Sequence, residues 1–237
     1  MSKIQAVLLA GGQGSRLRPY TTVLPKPLLP VGELPIAEIM IRQLRHFGIK
    51  DIVISTGHLA GLIETYFHDG RKWGVRIKYV REDKPLGTAG ALKLISGLAE
   101  DFLVMNGDIL TDLDYTKLRK FHRQQKAVAT IACQQRVVKS DFGVIKFDHK
   151  NALLNYLEKP EQRSFVSMGI NVLNKKCLDH IGRYEALGMP DLMLRLKNAA
   201  ERVSCYTTSG LWLDLGRRED LESAQEIFNE KIKKFHL

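Results

Sequence analysis

A glycine-rich segment near the N-terminus has the residue types of a phosphate-binding turn. Gly11, Gly12 and Gly14 follow an apolar run, and Arg16 and Lys26 come next in the chain. Glycines let the backbone turn sharply and point several N–H groups at one anion without side chains in the way. The two cations add fixed positive charge, which suits a triphosphate. A glycine-rich surface turn with two solvated cations has the same spacing, and the segment alone does not separate the two interpretations.

The segment matches neither of the two common nucleotide-binding loops. A P-loop ends its glycine run with Gly-Lys-Ser or Gly-Lys-Thr, and a GxGxxG fingerprint needs a third glycine where this chain has Leu17. The predicted phosphate site therefore depends on glycine content, charge and position after an apolar run.

Two aspartates from distant parts of the chain each end an apolar run. Asp108 closely follows residues 102–105, and Asp214 follows residues 211–213. Ligands of open α/β sheets bind at the carboxyl ends of strands, and Mg²⁺ is typically held by one or two carboxylates together with water and phosphate oxygens. The pair is therefore a candidate cation site, although either aspartate alone is equally typical of a turn or a helix cap.

Short apolar runs alternate with helical patterns in the first half of the chain. The apolar spacing predicts strands over residues 4–10, 51–55, 75–80 and 102–105 and helices over 36–47, 58–68 and 88–98. Gly48 and Gly70 follow the first two helices, as is typical of helix ends. This alternation is that of an α/β fold with a parallel sheet and helices on both faces.

The second half contains more strands and fewer crossover helices. Strands are predicted over residues 128–133, 143–147, 153–157 and 165–173, and a last helix over 219–234. We expect these strands to join the edge of the sheet in mixed directions. No repeat, low-complexity segment or Pro/Ser-rich linker marks a boundary in the sequence, so the prediction is a single domain over residues 1–237.

Composition limits the class of protein. At 237 residues and 44% hydrophobic content the chain can bury one substantial core, and no run approaches the ~20 apolar residues of a membrane span. The apolar run after residues 1–3 is too short for a secretion signal. Cys133, Cys177 and Cys205 lack the CxxC spacing of a zinc site, so we expect a reducing, cytoplasmic location and no membrane partner.

The net charge of +10 indicates affinity for polyanions, among which nucleic acid, anionic membranes and phosphorylated small molecules all qualify. The densest basic stretch, residues 231–234, lies at the end of the last predicted helix, where cations offset the helix dipole. We interpret it as a solvated helix end. No nucleic-acid-binding module or aromatic-basic face is recognisable in the sequence, so nucleic acid is not an expected partner.

The glycine segment and the residues that follow it resemble a known family. GGxGxRLxP followed by PKPL is similar to the signature of the sugar-1-phosphate nucleotidyltransferases, also called nucleotide-sugar pyrophosphorylases. Further family-like motifs follow in order at residues 85–92, 106–108, 142–145, 158–160, 168–170 and 212–216. The resemblance implies a Rossmann-like three-layer α/β/α fold with a predominantly parallel mixed sheet. Its detail looks most like that of short mannose- or heptose-1-phosphate guanylyltransferases.

The resemblance also implies a role for each candidate residue. The nucleotide is assigned to Leu9, Ala10, Gly11, Gly12, Gly14, Ser15, Gly87 and Thr88. Catalysis is assigned to Arg16, Lys26 and Asp108, with Asp108 and Asp214 as ligands of Mg²⁺. The sugar phosphate is assigned to Gly143, Glu158, Lys159, Gly169 and Asn171.

Glu158 and Lys159 are the least obvious of these candidates. An exposed Glu-Lys pair is usually a solvated surface feature, and adjacent residues of a strand point to opposite faces. Both side chains reach one ligand only if the chain turns, which Pro160 favours. Gly143 and Gly169 have a similar alternative, since a glycine in a strand often marks a bulge or kink.

The implied reaction is transfer of a nucleotidyl group from a nucleoside triphosphate, with GTP favoured, to a sugar 1-phosphate, giving a nucleotide sugar and pyrophosphate. An oxygen of the sugar phosphate would attack the α-phosphorus in line, so no enzyme nucleophile is needed. Residues 1–112 would then bind the nucleotide and residues 113–237 the sugar phosphate, without the C-terminal β-helix of some relatives. A homodimer is among the expected assemblies.

Leu34, Arg217 and Arg218 depart from the family pattern. Leu34 stands before Pro35 where many relatives carry Lys or Arg, and the two arginines follow Gly216 where a small residue and Pro are usual. The sequence leaves open how these changes affect substrate choice.

Two other functions fit the same motifs. A cytidylyltransferase for a non-sugar phosphate such as phosphocholine would share the phosphate and metal residues, and residues 158–160 argue against it. A catalytically silent homologue that only binds nucleotide sugars would not need the two cations and two aspartates, all of which are present.

Overall fold

The computed structural model describes residues 4–235, apart from the side chain at position 233. Residues 1–3, which entered the prediction about a secretion signal, and residues 236–237 lie outside this range. The strands are β1 Gln5–Ala10, β2 Pro30–Val31, β3 Leu34–Pro35, β4 Asp51–Thr56, β5 Arg76–Arg81, β6 Asp101–Asn106, β7 Ile109–Thr111, β8 Ala129–Lys139, β9 Val144–Phe147, β10 Leu153–Leu157, β11 Glu161–Asn174, β12 Val203–Thr208 and β13 Trp212–Asp214. The α-helices are α1 Ile36–His46, α2 Ala60–Phe67, α3 Gly87–Gly90, α4 Tyr115–Gln125, α5 Met189–Asn198 and α6 Arg218–Lys231.

Seven strands form the central sheet in the order β12-β8-β11-β6-β1-β4-β5. Neighbours pair in parallel except at β11, which is antiparallel to both β6 and β8. The other six strands therefore point their carboxyl ends to one side, called the carboxyl edge below. The predicted α/β fold with a predominantly parallel mixed sheet is confirmed. The sheet takes strands from both predicted halves of the chain, and the division at residue 112 stays a prediction.

The side chains of the central strands alternate between two hydrophobic layers. In β1, Ala6 and Leu8 face the layer that contains Met40 of α1, whereas Val7 faces the layer that contains Leu192 of α5. Because β1 is covered on both faces, it reads as a continuous apolar run and not as an alternating one. The helices on the two faces give the three layers that the family resemblance implied.

The strands and the first two helices predicted in the first half lie where they were expected, but the predicted helix over residues 88–98 is wrong. α3 ends at Gly90, and a 3₁₀ turn, Ala91–Leu94, follows. Ile95 is extended, and Gly97 has a φ of 71°, which is not helical. The apolar side chains of the segment are still buried, because a 3₁₀ turn also brings every third side chain to one face.

The sequence reasoning missed α4, α5 and β12. Helix α4 is polar along most of its surface and buries a narrow stripe that includes Tyr115 and Leu118. Its start is marked by Asp114, whose carboxylate accepts hydrogen bonds from the backbone N–H groups of Thr116 and Lys117. This N-cap was a readable signal, whereas the sparse apolar spacing was not.

The strands predicted over residues 143–147 and 153–157 exist as β9 and β10, but their predicted place in the sheet is wrong. They pair with each other as a separate hairpin. The strands predicted over residues 128–133 and 165–173 do join the sheet, as β8 and β11, and both are longer than predicted.

The last predicted helix, over residues 219–234, is α6 followed by a 3₁₀ turn, Ile232–Phe235. The backbone N–H of Arg217, the N-cap of α6, donates to the carboxylate of Asp220 at 2.7 Å. In the described part of the chain, every helix is too short or too polar to cross a bilayer.

Candidate active site

The glycine turn after β1 is held in one shape by its neighbours. Gly14 has a φ of 61°, in the left-handed region that favours glycine. Its carbonyl oxygen accepts hydrogen bonds from the Thr21 hydroxyl at 2.8 Å and from the backbone N–H of Leu17 at 2.9 Å. A Cβ at Gly14 would lie 2.8 Å from the methyl carbon of Thr21. The protein's own contacts therefore fix the turn.

Gly12 has the opposite surroundings. A Cβ at Gly12 would meet no atom of the described residues within 4 Å, and Gly12 lines two neighbouring cavities. Its missing side chain therefore leaves room for a ligand and is not required by packing.

Three adjoining cavities lie at the carboxyl edge beside this turn. The first has a volume of about 230 Å³ and the second about 260 Å³, and the two share Leu9, Gly12 and Asp108. The third, of about 600 Å³, shares Thr88 and Asn106 with the second. Because they share lining residues, the three cavities form one continuous groove.

The groove brings together most of the predicted site residues. The first cavity is lined by Leu9, Ala10, Gly12, Gly14, Ser15, Arg16, Lys26 and Asp108. The second adds Gly11, Gly87 and Thr88. The third adds Gly169, Asn171 and Asp214.

Asp108 and Asp214 are brought together by a small two-stranded sheet. β7, which begins directly after Asp108, pairs antiparallel with β13, which ends at Asp214. The backbone N–H of Leu215 donates to the carbonyl oxygen of Asp108 at 2.9 Å. A Cβ at Gly216 would lie 3.4 Å from a carboxylate oxygen of Asp214 and 3.5 Å from the guanidinium of Arg16. Two aspartates and a cation from three segments thus meet at one place.

The charges at this place are only partly compensated. Lys26 Nζ forms an ion pair with Asp108 Oδ2, while Asp108 Oδ1 is buried and has no hydrogen-bond partner among the described residues. Burial raises the pKa of Asp214, the carboxylate of Asp108 raises that pKa further, and Lys26 and Arg16 lower it in part. Two close carboxylates in this setting favour additional positive charge.

A divalent cation fits this pair of carboxylates. Hard cations bind carboxylate oxygens, and Mg²⁺ takes its remaining ligands from water and phosphate. The unpartnered oxygen of Asp108 is available as a metal ligand. The raised pKa of Asp214 shows that nearby positive charge would stabilise its carboxylate. Within residues 4–235, no group of three or more His, Cys, Asp and Glu side chains lies close enough together to hold a metal ion.

Glu158 and Lys159 lie between β10 and β11 and are exposed, and neither they nor Gly143 line the three cavities. Lys159 has a φ of 42°, so the chain does turn just before Pro160. A Cβ at Gly143 would lie 2.5 Å from the hydroxyl of Tyr156, which explains the glycine by local packing. Contact between these residues and a substrate stays a prediction.

Glu82, which organises the second cavity, was missed by sequence reasoning. Its Oε1 accepts a hydrogen bond from the Ser55 hydroxyl at 2.8 Å, and its Oε2 accepts one from the backbone N–H of Leu86 at 3.0 Å. A Cβ at Gly11 would lie 2.6 Å from Oε1, so Glu82 lies against the glycine turn. Its position directly after β5, at the carboxyl edge, was the available signal.

Trp212 forms part of the wall of the third cavity, a role that its place in a family motif did not reveal. Its ring N–H donates to the carbonyl oxygen of Met168 at 2.9 Å, and the guanidinium of Arg136 lies 5.0 Å from the ring centroid. Met189 and Met193 line the same cavity. The third cavity is therefore more apolar than the first.

The model of one protein family, described as nucleotidyl transferase, matches residues 5–231 of the chain. The match covers almost every described residue. This chain belongs to the nucleotidyl transferase family. The family resemblance predicted from the sequence is thereby confirmed.

Other nucleotidyl transferases are similar over nearly the whole chain. A UTP–glucose-1-phosphate uridylyltransferase of Synechocystis sp. is 33% identical, over 97% of the chain and 65% of its own length. A mannose-1-phosphate guanylyltransferase of Mycobacterium tuberculosis is 31% identical, over 92% of the chain and 62% of its own length. A crystal structure of a Bacillus anthracis protein, described as a glucose-1-phosphate thymidylyltransferase in complex with sucrose, is 28% identical with a TM-score of 0.75 over 94% of each chain. The chain spans less than two thirds of the length of both curated relatives.

The departures from the family pattern lie outside the groove. Leu34 is half-buried and packs against the main hydrophobic core. Arg218 pairs with Glu222 one turn along α6 at 2.9 Å, and the N–H of Arg217 donates to Asp220. Leu34, Arg217 and Arg218 do not line the three cavities. In this nucleotidyl transferase they serve local packing and helix capping.

Proposed function

We propose that this nucleotidyl transferase is an enzyme that moves a nucleotidyl group from a nucleoside triphosphate to a sugar 1-phosphate and releases pyrophosphate. One observation carries the proposal: Asp108 and Asp214 meet beside a fixed glycine turn and two cations. Such an arrangement opposes the charge of phosphate groups with preorganised dipoles and cations. The relatives support the proposal because each name joins a nucleotide to a sugar 1-phosphate.

The first two cavities form the proposed nucleotide site. Base and ribose would contact Leu9, Ala10, Gly11, Gly12, Gly87 and Thr88. The triphosphate would contact Gly14, Ser15, Arg16 and Lys26. Backbone groups make up most of the first set, so the shape of the turn matters more there than side-chain identity.

The proposed reaction is a single displacement at phosphorus. An anionic oxygen of the sugar phosphate attacks the α-phosphorus; a P–O bond forms, the bond to the bridging oxygen of the β-phosphate breaks, and pyrophosphate leaves with the electron pair. The protein does not need to accept a proton, so its task is to hold two polyanions in line. Arg16 and Lys26 supply the positive charge that makes this approach favourable.

Asp108 and Asp214 are the proposed ligands of Mg²⁺, the cation suited to one or two carboxylates and phosphate oxygens. When bound, Mg²⁺ would neutralise part of the negative charge of the phosphate groups. The pairing of β7 with β13 holds the two aspartates at the place where that charge is needed.

The third cavity is the proposed sugar site. Its volume of about 600 Å³ accommodates a sugar, and Gly169 and Asn171 line it. Glu158 and Lys159 are proposed to reach the sugar and its phosphate from the exposed turn between β10 and β11, with Gly143 close to the ring. These last contacts rest on the family resemblance.

The test is a grid of nucleoside triphosphates against sugar 1-phosphates and phosphocholine, with pyrophosphate release as the readout. We propose GTP as the nucleotide because of the likeness to a mannose-1-phosphate guanylyltransferase. UTP and dTTP must be tested as well, because other relatives are named for uridylyl and thymidylyl transfer. The expected result is release with a sugar 1-phosphate and none when Mg²⁺ is omitted. Release with phosphocholine alone would replace the proposal by cytidylyl transfer. Thermal stabilisation by a nucleotide sugar without any release would indicate a binding protein.

We also propose a cytoplasmic location and a homodimer. Cys133, Cys177 and Cys205 are free thiols, and the first two are buried. Free thiols are typical of reducing compartments. The surface through which two copies would meet is argued in the following subsection.

A further inference from the structure

Part of the chain projects from the carboxyl edge as an exposed arm. β8 leaves the sheet after Gln134, the last residue that pairs with β12, and β11 returns to the sheet, pairing with β6 from Ile170 onward. Between these points β8 and β11 pair with each other, and the hairpin of β9 and β10 forms the far end. Residues 135–166 are called the ribbon below.

The ribbon carries most of the exposed hydrophobic side chains of the described residues. Eleven of the 18 large hydrophobic side chains that are exposed lie in it. Phe142 is 79% exposed, and Phe147, Leu153, Leu154 and Phe165 are each more than 60% exposed. Because strand side chains alternate between faces, each face of the ribbon presents about half of them, on the order of 500 Å², as large as the biggest apolar patch of a typical monomer, about 300–600 Å². Apolar patches of this size mark interaction surfaces.

The far end of the ribbon lacks the cover that a hairpin needs. All nine residues of β9 and β10 are exposed. A two-stranded hairpin with no packed face is only marginally stable in water, and its free edges are open to pairing with another strand. A partner that covers β9 and β10 would therefore stabilise the ribbon.

The charges of the ribbon distinguish between partners. The segment contains six Lys and Arg and four Asp and Glu residues, and within one copy Lys139 pairs with Glu161 at 2.7 Å. An anionic membrane or a nucleic acid would match a uniformly cationic face. A second copy, related by a two-fold axis, presents the same mixture of signs in the reverse direction, so opposite charges can meet.

We propose that the ribbon is the contact surface between two copies of this chain, related by a two-fold axis and meeting through β9 and β10. The apolar area of one face is sufficient, because a standard stable interface buries about 800 Å² on each partner, of which a little over half is non-polar. Two-fold contacts are also the commonest arrangement of soluble homo-oligomers.

The contact has a consequence for catalysis, which rests on the proposed function. Glu158 and Lys159 directly follow β10, and the backbone N–H of Ser140 donates to the carbonyl oxygen of Pro160 at 3.1 Å. Their turn is therefore held within the ribbon, next to the hairpin. A dimer that fixes the hairpin also fixes the two residues assigned to the sugar phosphate.

The test measures the oligomeric state of the full chain by sedimentation velocity from submicromolar to tens of micromolar concentration. Val144→Lys and Ile145→Lys place a charge on opposite faces of β9, where its pairing with β10 is regular. Leu62→Lys, at an exposed leucine of α2 outside the ribbon, is the matched control. We expect the wild type at twice the chain mass of 26.8 kDa, a dimer Kd raised at least about tenfold by one or both ribbon variants, and no change with the control. Circular dichroism and thermal melts verify that each variant is folded.

Several outcomes would overturn the proposal. A wild-type chain that stays monomeric at tens of micromolar does so, as does a dimer that neither ribbon variant weakens or that Leu62→Lys weakens equally. Co-sedimentation of a monomeric chain with anionic phospholipid vesicles, lost in the ribbon variants, would replace the second copy by a membrane. If the ribbon variants weaken the dimer as expected but the intact wild-type dimer releases no pyrophosphate, the ribbon contact is supported and the proposed function is not, so the two proposals fail separately.

Discussion

The first cavity and the ribbon lie at the same edge of the sheet but differ in how they are held. Around the first cavity, Gly14 is fixed by two hydrogen bonds and Asp108 by the N–H of Leu215. In the ribbon, every residue of β9 and β10 is exposed. A preorganised arrangement of charges needs no rearrangement when a polyanion binds, whereas an arm with few buried contacts takes its order from what covers it. The first cavity is thus a property of the single fold, whereas the shape of the ribbon depends on what covers it.

The largest effect is expected from Asp108→Asn, which tests the fixed side of this comparison. The amide keeps the shape of the side chain but loses the charge that pairs with Lys26 and that would bind a cation. We expect turnover to fall by roughly 10³-fold with no change in the thermal melt. Pyrophosphate release gives the rate. Asp83→Asn, at an exposed carboxylate outside the cavities, is the control, and undiminished turnover in Asp108→Asn would remove the metal assignment.

Lys159→Ala tests whether the ribbon contributes a contact to the sugar phosphate. The loss of one charge-assisted hydrogen bond to a phosphate, about 2 kcal/mol, corresponds to roughly 30-fold in kcat/KM for the sugar phosphate. The KM for the nucleoside triphosphate should not change. Lys150→Ala removes another exposed lysine of the ribbon and is the matched control. Equal losses in both variants, or none in either, would show that Lys159 does not contact the substrate.

Gly12→Ala separates space for a ligand from space needed for folding. A Cβ at Gly12 meets no described atom within 4 Å, so the melting temperature should stay unchanged while the KM for the nucleotide rises about tenfold. Gly14→Ala should behave in the opposite way. Its φ of 61° and its contact with Thr21 make the variant less stable, by about 1–2 kcal/mol. Differential scanning fluorimetry and initial rates check both, and a Gly12 variant with normal nucleotide KM contradicts the placement of the nucleotide.

The smallest effect is expected from His122, which lies away from both regions. Its protonation makes the stability of the folded chain depend on pH. Burial lowers the pKa of His122 below its ordinary value of 6.5, although Asp101 raises it in part, and the ring nitrogen Nδ1 lies 2.8 Å from the hydroxyl oxygen of Thr130. The unfolded chain therefore takes up a proton at a higher pH than the folded chain does. Stability is fully present above pH 6.5 and is lost as the pH falls through the lowered folded pKa.

Denaturant titrations above and below pH 6.5 measure this loss. The free energy of unfolding should fall less in His122→Gln than in the wild type over the same interval. An equal decrease in the two proteins would show that other groups cause the pH dependence.

Residues next to buried strands were the predictable part of the site. The glycine turn and Asp108 each follow a strand covered on both faces, and such strands read as apolar runs. Asp214 was paired with Asp108 because each ends an apolar run and because the family resemblance assigns both to a metal ion. The strands that join them, β7 and β13, have three residues each, which is too short for periodicity to reveal.

Contacts set by tertiary packing were not predictable. Glu82 depends on Ser55 and Leu86, which no local pattern connects to it. The predicted helix over residues 88–98 failed because a 3₁₀ turn gives a similar apolar spacing. β9 and β10 were recognised as strands, but side-chain patterns do not state which sheet a strand joins, and so the ribbon was not foreseen.

In the central sheet of the described residues, β11 runs antiparallel to its neighbours, and this direction determines where insertions and deletions are tolerated. Because β8 leaves and β11 returns at the carboxyl edge, both ends of the intervening segment emerge beside the ligand groove. Residues inserted or deleted there lengthen or shorten an arm in solvent and leave the register of the seven-stranded sheet intact, at small entropic cost. Insertions and deletions in this segment can therefore change what surrounds the mouth of the groove, while the glycine turn and the two aspartates keep their places.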